Sequence, residues 1–264
     1  MTAFYGIPGG GHFWHWTTQI HFLLVALAGG FTLYTALLGM KNGSEGRKLA
    51  PWALLLIAAD LFMLWAESPA RFRFTQFWLF LGIHPKAAIW WGAWGLALSA
   101  LLLLVIILQK QAGKYWYALL AVCSTIVVLY PGYALAANAA RPLWDHLLLA
   151  LFPATALLLA LALLIAWRGE EAVRWLELTS WVSLLLALLL PAALASGGVD
   201  QARALALLLR RGLLFGLGTL LVLLAALTAR RTPALAAACA FAGAWLIRGW
   251  LVAEGQHSLF THGF

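Results

Sequence analysis

The sequence predicts an all-α integral membrane protein with eight transmembrane helices. Three observations carry that prediction. Of 264 residues, 64% are hydrophobic and only 10% charged, whereas a soluble domain is roughly a quarter charged. The apolar residues come in runs of about 20, the length that crosses a bilayer as a helix, since hydrocarbon offers an unpaired backbone group no partner. The charges collect in the connections between runs. Mean hydropathy is +0.90; no water-soluble core absorbs that much Leu, Ala and Trp, so the solvent is lipid.

The runs lie at about 16–39, 50–67, 88–109, 115–138, 143–167, 174–195, 204–227 and 232–253, and basic residues mark the gaps between them. Lys41, Arg47 and Lys48 follow the first run, Lys110 and Lys114 the third, Arg168 and Arg174 the fifth, Arg230 and Arg231 the seventh, nine in all. The opposite side carries Arg71, Arg73, Lys86, Arg141, Arg203, Arg210 and Arg211, seven in all. The excess favours odd-numbered connections inside and both termini outside. A net charge of +8, dispersed in this way, reads as a topology signal and excludes a nucleic-acid-binding patch.

The first fifteen residues hold no Lys or Arg and the run after them is too long for a signal h-region, so no cleavable signal peptide is expected. Short connections make successive helices antiparallel neighbours. The exception is the segment from about Glu67 to Ala88, with Phe72, Phe74, Phe77, Trp78 and Phe80 running into Trp90, Trp91 and Trp94. That density suits an interfacial belt, and also a lid or docking surface. Gly29 and Gly30, and the Gly212/Gly216 pair at GxxxG spacing, allow close helix approach. Pro131, Pro153 and Pro191 should kink or end helices locally. The tail "EGQHSLFTHGF" is polar enough to lie outside the bilayer. Cys123 and Cys239 fall inside spans without a CxxC or CxxH partner, which argues against thiolate metal or iron–sulfur ligation here and for a packing role.

Polar residues inside the spans are the informative ones, because a mid-membrane charge costs at least about 2.5 kcal/mol. They are His21 in span 1, Asp60 and Glu67 in span 2, Tyr130 in span 4, His146 in span 5 and Arg248 in span 8. Counting residues from the span ends places all but His146 within a few turns of the terminal-side surface. Asp60 lies seven residues before Glu67, about 10 Å deeper on nearly the same helical face. Each has a plain structural reading by itself: a hydrogen-bonded core histidine, an interfacial tyrosine, carboxylates ion-paired with Arg248 or Arg71, a helix-end histidine beside Asp145. Their common depth points instead to a shared polar niche. Histidine and tyrosine at the edge of an apolar, aromatic-lined cleft suit the oxygens of a lipophilic quinone, and a nearby carboxylate could take its protons. Nothing in the chain would hold the electrons, so a redox partner is implied.

The stretches "FWHWTTQIHF" (13–22), "ALAGG" (26–30), "DLFMLWAESPARFRF" (60–74), "WWGAWGL" (90–96), "LYPGYALAANAARPLW" (129–144) and "LFPATALLLALAL" (151–163) resemble the membrane-anchor subunit of polysulfide reductase, in the NrfD/PsrC family. The likeness is strongest over about residues 4–160. The resemblance implies two four-helix bundles, 1–142 with the quinone pocket and 143–264, without haem or metal in this chain. It implies menaquinol oxidation, or quinone reduction, near the outer face of a bacterial cytoplasmic membrane. Electrons would pass through an iron–sulfur subunit to a molybdopterin catalytic subunit, and a dimer of that complex stays open. The quinone ligands would fall on His21 and Tyr130. Asp60 and Glu67 would match acids proposed for proton passage, with Arg73 beside them and Arg71 and Arg248 as ion-pair or proton-path candidates. Thr18 stands where an asparagine ligand is expected, and its shorter hydroxyl would change quinone pose or affinity. Two other classes compete with this reading. A haem b anchor would need His21 and His146 as axial ligands. A non-redox transporter or ion channel would show broken helices in matched repeats.

Overall fold

The computed structural model describes residues 16–67, 87–109, 112–137 and 141–255, all of them helix or short connection. The helices are α1 (Trp16–Lys41), α2 (Gly43–Glu67), α3 (Ala88–Leu108) and α4 (Lys114–Ala136). A continuous helical run over Leu148–Ala195 follows, which separates into α5 (Leu148–Ile165) and α6 (Gly169–Ala195). Then come α7 (Val199–Arg211), α8 (Leu213–Thr228) and α9 (Pro233–Gly255). Seven helices, all but α7 and α8, are long and apolar enough to cross a membrane, and α7 with α8 adds an eighth if that bent pair is one broken span.

The run of 48 residues would be about 72 Å long if straight, more than twice a bilayer's hydrocarbon. The chain breaks at Gly169, with φ 55° and ψ −134°, a left-handed backbone that a Cβ would strain. Ion pairs fix which ends meet. Lys41 at the end of α1 reaches Glu171 at 3.8 Å, and Arg230 after α8 reaches Glu177 at 2.7 Å. At the opposite end Arg211 pairs with Glu254 at 3.7 Å, and Arg141 NH1 donates to the Gly255 carbonyl at 3.1 Å.

Spans 2 and 6 begin earlier than expected, at Gly43 and Gly169 instead of 50 and 174, and spans 7 and 5 change in kind. Span 7 is not straight over 204–227: it bends by 77° at Gly212, between α7 and α8. The reason is local. Arg210 and Arg211 close α7, the Leu208 carbonyl approaches Gly212 so closely that a Cβ there would collide with it, and the Arg211 carbonyl is taken by Trp250 Nε1 at 2.9 Å. Arginines cannot follow the leucines of α8 into hydrocarbon at low cost. This break has no counterpart in α1–α4 among the described residues. Span 5 starts at Leu148 and not at 143, because Asp145 Oδ1 accepts from the Leu147 N–H at 2.9 Å and holds residues 141–147 as turns.

Packing divides the core into two apolar clusters. One is built from α1 to α4 with Ala160 and Leu164; the other joins α5, α6, α8 and α9 to Phe22, Ala26, Leu27 and the end of α4. α1 and α4 are the helices that pack on both sides. Gly29 lets α1 approach Val127, and Gly30 lets it approach the Ala156 carbonyl. The expected Gly212/Gly216 seam does not form: a Cβ on Gly216 would meet open space. The close approach instead falls on Gly218 and Gly243, whose Cβ atoms would lie 2.9 and 2.7 Å from each other's carbonyls. Leu55, Leu101, Leu185 and Leu220 are exposed, as lipid-facing side chains are.

Candidate functional site

Three of the polar residues singled out from the sequence meet in one chain of hydrogen bonds. His21 on α1 places Nδ1 2.8 Å from Asp60 Oδ1 on α2, and Nε2 2.8 Å from the Tyr130 hydroxyl on α4. All three are buried, Asp60 completely. The imidazole and phenol are therefore turned into the helix cluster. Their spacing follows from their helices. Each sits a few turns inside its own span, and α1 packs directly on both α2 and α4. Thr18, buried as well, lies three residues before His21 and so about one turn along the same face of α1.

The phenol rests on a glycine. A Cβ on Gly92 of α3 would lie 2.6 Å from Tyr130 Cε1 and Cζ, so only a glycine leaves the ring where His21 can reach it. Three buried polar atoms on these helices have no partner among the described residues: Asp60 Oδ2, beside His21, and the indole Nε1 of Trp90 and Trp94, each two residues from Gly92 and so turned to the other face of α3 from Tyr130. Buried groups of this kind normally find a partner. Asp60 Oδ2, beside the imidazole, is an acceptor that suits a ligand hydroxyl or an ordered water.

Arg248 of α9 is fully buried and approaches from the other side. The carboxylate partner considered for it is not what it has. NH1 donates to the Phe152 carbonyl at 2.8 Å and to Thr155 Oγ1 at 3.1 Å, NH2 donates to the Phe22 carbonyl at 3.0 Å, and the guanidinium carbon stands 4.3 Å from the Phe152 ring centroid. Among the described residues it forms no ion pair.

The backbone of Glu67 ends α2, but its side chain lies outside the described structure, as do Arg71, Arg73, the aromatic segment from 68 to 86 and the C-terminal tail. His146 is exposed in the turn before α5, while both ring nitrogens of His21 are engaged. The two histidines do not form a buried axial pair. Among the described residues no three His, Cys, Asp or Glu side chains gather as a metal site. Sequence reasoning missed two elements. Gly92 was visible only as part of "WWGAWGL", and the acceptors of Arg248 are mostly main-chain carbonyls, which every residue carries.

No curated protein matches the chain. A family model described as polysulfide reductase, NrfD_2, matches residues 1–264. With that match over its whole length, the chain belongs to the NrfD-type polysulfide reductase family of membrane subunits.

Proposed function

We propose that this chain is the membrane anchor and quinone-reactive subunit of a respiratory oxidoreductase of the polysulfide reductase type. Family membership supports the coarser part, a membrane-anchor role in a redox complex of the molybdoenzyme kind. The observation that carries the finer part is the buried Asp60–His21–Tyr130 chain.

A menaquinol supplies two electrons and two protons. With Asp60 ionised and His21 neutral, the chain has one consistent donor order: His21 Nδ1–H donates to Asp60, and Nε2 accepts from the Tyr130 hydroxyl. The Tyr130 oxygen then keeps a lone pair for a quinol hydroxyl. As that proton arrives, the phenolic proton passes to Nε2, and Asp60 stabilises the imidazolium that forms. A positioned base of this kind contributes about 10²–10⁴-fold to a proton transfer. Thr18, a turn away, borders the same niche. In this reading the Glu67 carboxylate at its rim receives the proton, with Arg73 and Arg71 beside it. The electrons leave through an iron–sulfur subunit toward a molybdopterin subunit, where the terminal substrate is reduced. Helices α1–α4 form the quinone-binding bundle and the rest a second one. Both termini lie on the outer side of a bacterial cytoplasmic membrane, as the nine-to-seven distribution of Lys and Arg favours.

The test is His21→Ala in the purified complex. Quinol-driven reduction of the partner's iron–sulfur centres should slow by about 100-fold while the subunits stay associated. Unchanged reduction kinetics would defeat the reading.

A further inference from the structure

A guanidinium sealed inside a membrane helix must recover its lost hydration from whatever surrounds it. Arg248 does so by spreading its two terminal nitrogens over two helices that are not its own: NH2 takes the Phe22 carbonyl of α1, while NH1 takes the Phe152 carbonyl and the Thr155 hydroxyl of α5. Phe22 immediately follows His21. Its ring meets the Phe152 ring edge-on at 6.3 Å, and the His21 ring at 5.8 Å, while the guanidinium carbon stands 4.3 Å from the Phe152 ring centroid. One cation therefore ties α1, α5 and α9 together at the level of the imidazole.

We propose that Arg248 is a positioning residue for the proton relay: by pinning the α1 backbone at Phe22 to α5, it fixes the depth and rotation of His21 between Asp60 and Tyr130. The inference rests on the quinone reading above. The physical need is clear. His21 must keep two bonds of 2.8 Å to groups on two different helices, and α1 can slide or rotate only if its contacts with the α5–α9 side yield. Hydrogen bonds from a charged donor are the strong ones, each worth roughly twice a neutral bond, and here two of the three end on main-chain carbonyls, one on α1 and one on α5, so they hold the helices and not merely a side chain. A misplacement of about 1 Å in such a site can cost about 100-fold in rate. Lysine would keep the charge but lose the two-pronged grip.

The experiment uses the complex in detergent, with a reduced naphthoquinol of short chain as probe, and follows single-turnover reduction of the iron–sulfur centres against quinol concentration. Wild type and His21→Ala run in parallel. Arg248→Gln should lower the maximal rate per folded complex by about 100-fold, and Arg248→Lys by about 10-fold, with the half-saturating quinol concentration changed less than about threefold. A purely structural role would lower the yield of folded complex and leave the maximal rate of the remainder intact. A wild-type maximal rate in folded Arg248→Lys, or a loss confined to half-saturation, overturns the proposal. Should neither Arg248 variant fold, Thr155→Val decides: it removes the 3.1 Å bond from Arg248, together with the hydroxyl's own bonds to the Leu151 and Phe152 carbonyls of the same helix, and should slow the maximal rate by about threefold, and an unchanged rate overturns the proposal. If His21→Ala turns over like wild type, the quinone reading itself fails and this inference falls with it. If His21→Ala fails as expected and the Arg248 variants do not, only the positioning role is lost.

Discussion

Helix α4 carries two buried tyrosines, one near each end, and both rest on glycine. Tyr130 lies over Gly92 of α3; Tyr117 lies against Gly39 and Gly46, on α1 and α2. Both hydroxyls make a hydrogen bond of 2.8 Å. The difference is the acceptor. Tyr117 donates to the Gly43 main-chain carbonyl, which cannot take up a proton near neutral pH, so the bond is a terminus. Tyr130 meets an imidazole that is bonded in turn to a carboxylate, so a proton leaving the phenol has somewhere to go. A glycine cradle and a buried phenol are therefore packing devices shared by both ends of the bundle. Chemistry enters only where the partner of the hydroxyl can itself titrate.

The largest effect expected from that contrast is on turnover. Tyr130→Phe should slow quinol-driven electron delivery by about 100-fold with little loss of stability, because it removes the relay's first proton acceptor while keeping the ring. Tyr117→Phe should leave electron delivery unchanged and lower thermal stability by an amount equivalent to about 1 kcal/mol, the usual value of one buried hydrogen bond. Equal kinetic losses in the two variants would erase the distinction drawn here.

The cradles should separate in the same way, with smaller effects. A methyl on Gly92 pushes directly against the Tyr130 ring, so Gly92→Ala should cost about 10-fold in rate as the phenol moves off His21. Gly39→Ala collides with the Tyr117 ring at the opposite end and should destabilise by about 1–3 kcal/mol, the range for overpacking, without changing the rate per folded molecule. Activity normalised to folded protein, measured alongside a melting curve, distinguishes the two.

The contrast also shows what could be read from the chain alone. Asp60, His21 and Tyr130 stand out in sequence because a polar group in hydrocarbon is costly, and depth counted along each span brings them to one level. Their direct bonding to one another was not legible, since it depends on how α1, α2 and α4 are rotated. The partners of Arg248 were hidden for a different reason. A search for a carboxylate is natural for a buried cation, but carbonyls of Phe22 and Phe152 leave no mark on composition. Helix ends were the other gap. The turn at 141–147 rests on one Asp145 cap, and the bend at Gly212 on one close carbonyl, each a matter of a few atoms inside an otherwise uniform run of leucine.

The smallest predicted effect tests the same lesson on glycine spacing in α8. Gly212 and Gly216 have the sequence pattern of a helix-packing seam, but Gly216 faces open space, while Gly218 touches Gly243 of α9 backbone to backbone. Gly216→Ala should therefore change stability by no more than about 0.5 kcal/mol, since alanine suits a helix better than glycine and meets nothing. Gly218→Ala should cost more, because its methyl would press on the Gly243 carbonyl and Ile247, and neither the main chain nor a branched side chain hemmed in by α9 can yield freely. Melting curves of the two variants in the same detergent provide the comparison. A larger loss in the Gly216 variant would mean that the α8–α9 seam runs through the spaced pair after all, and that spacing in the sequence outweighs the packing seen in the fold.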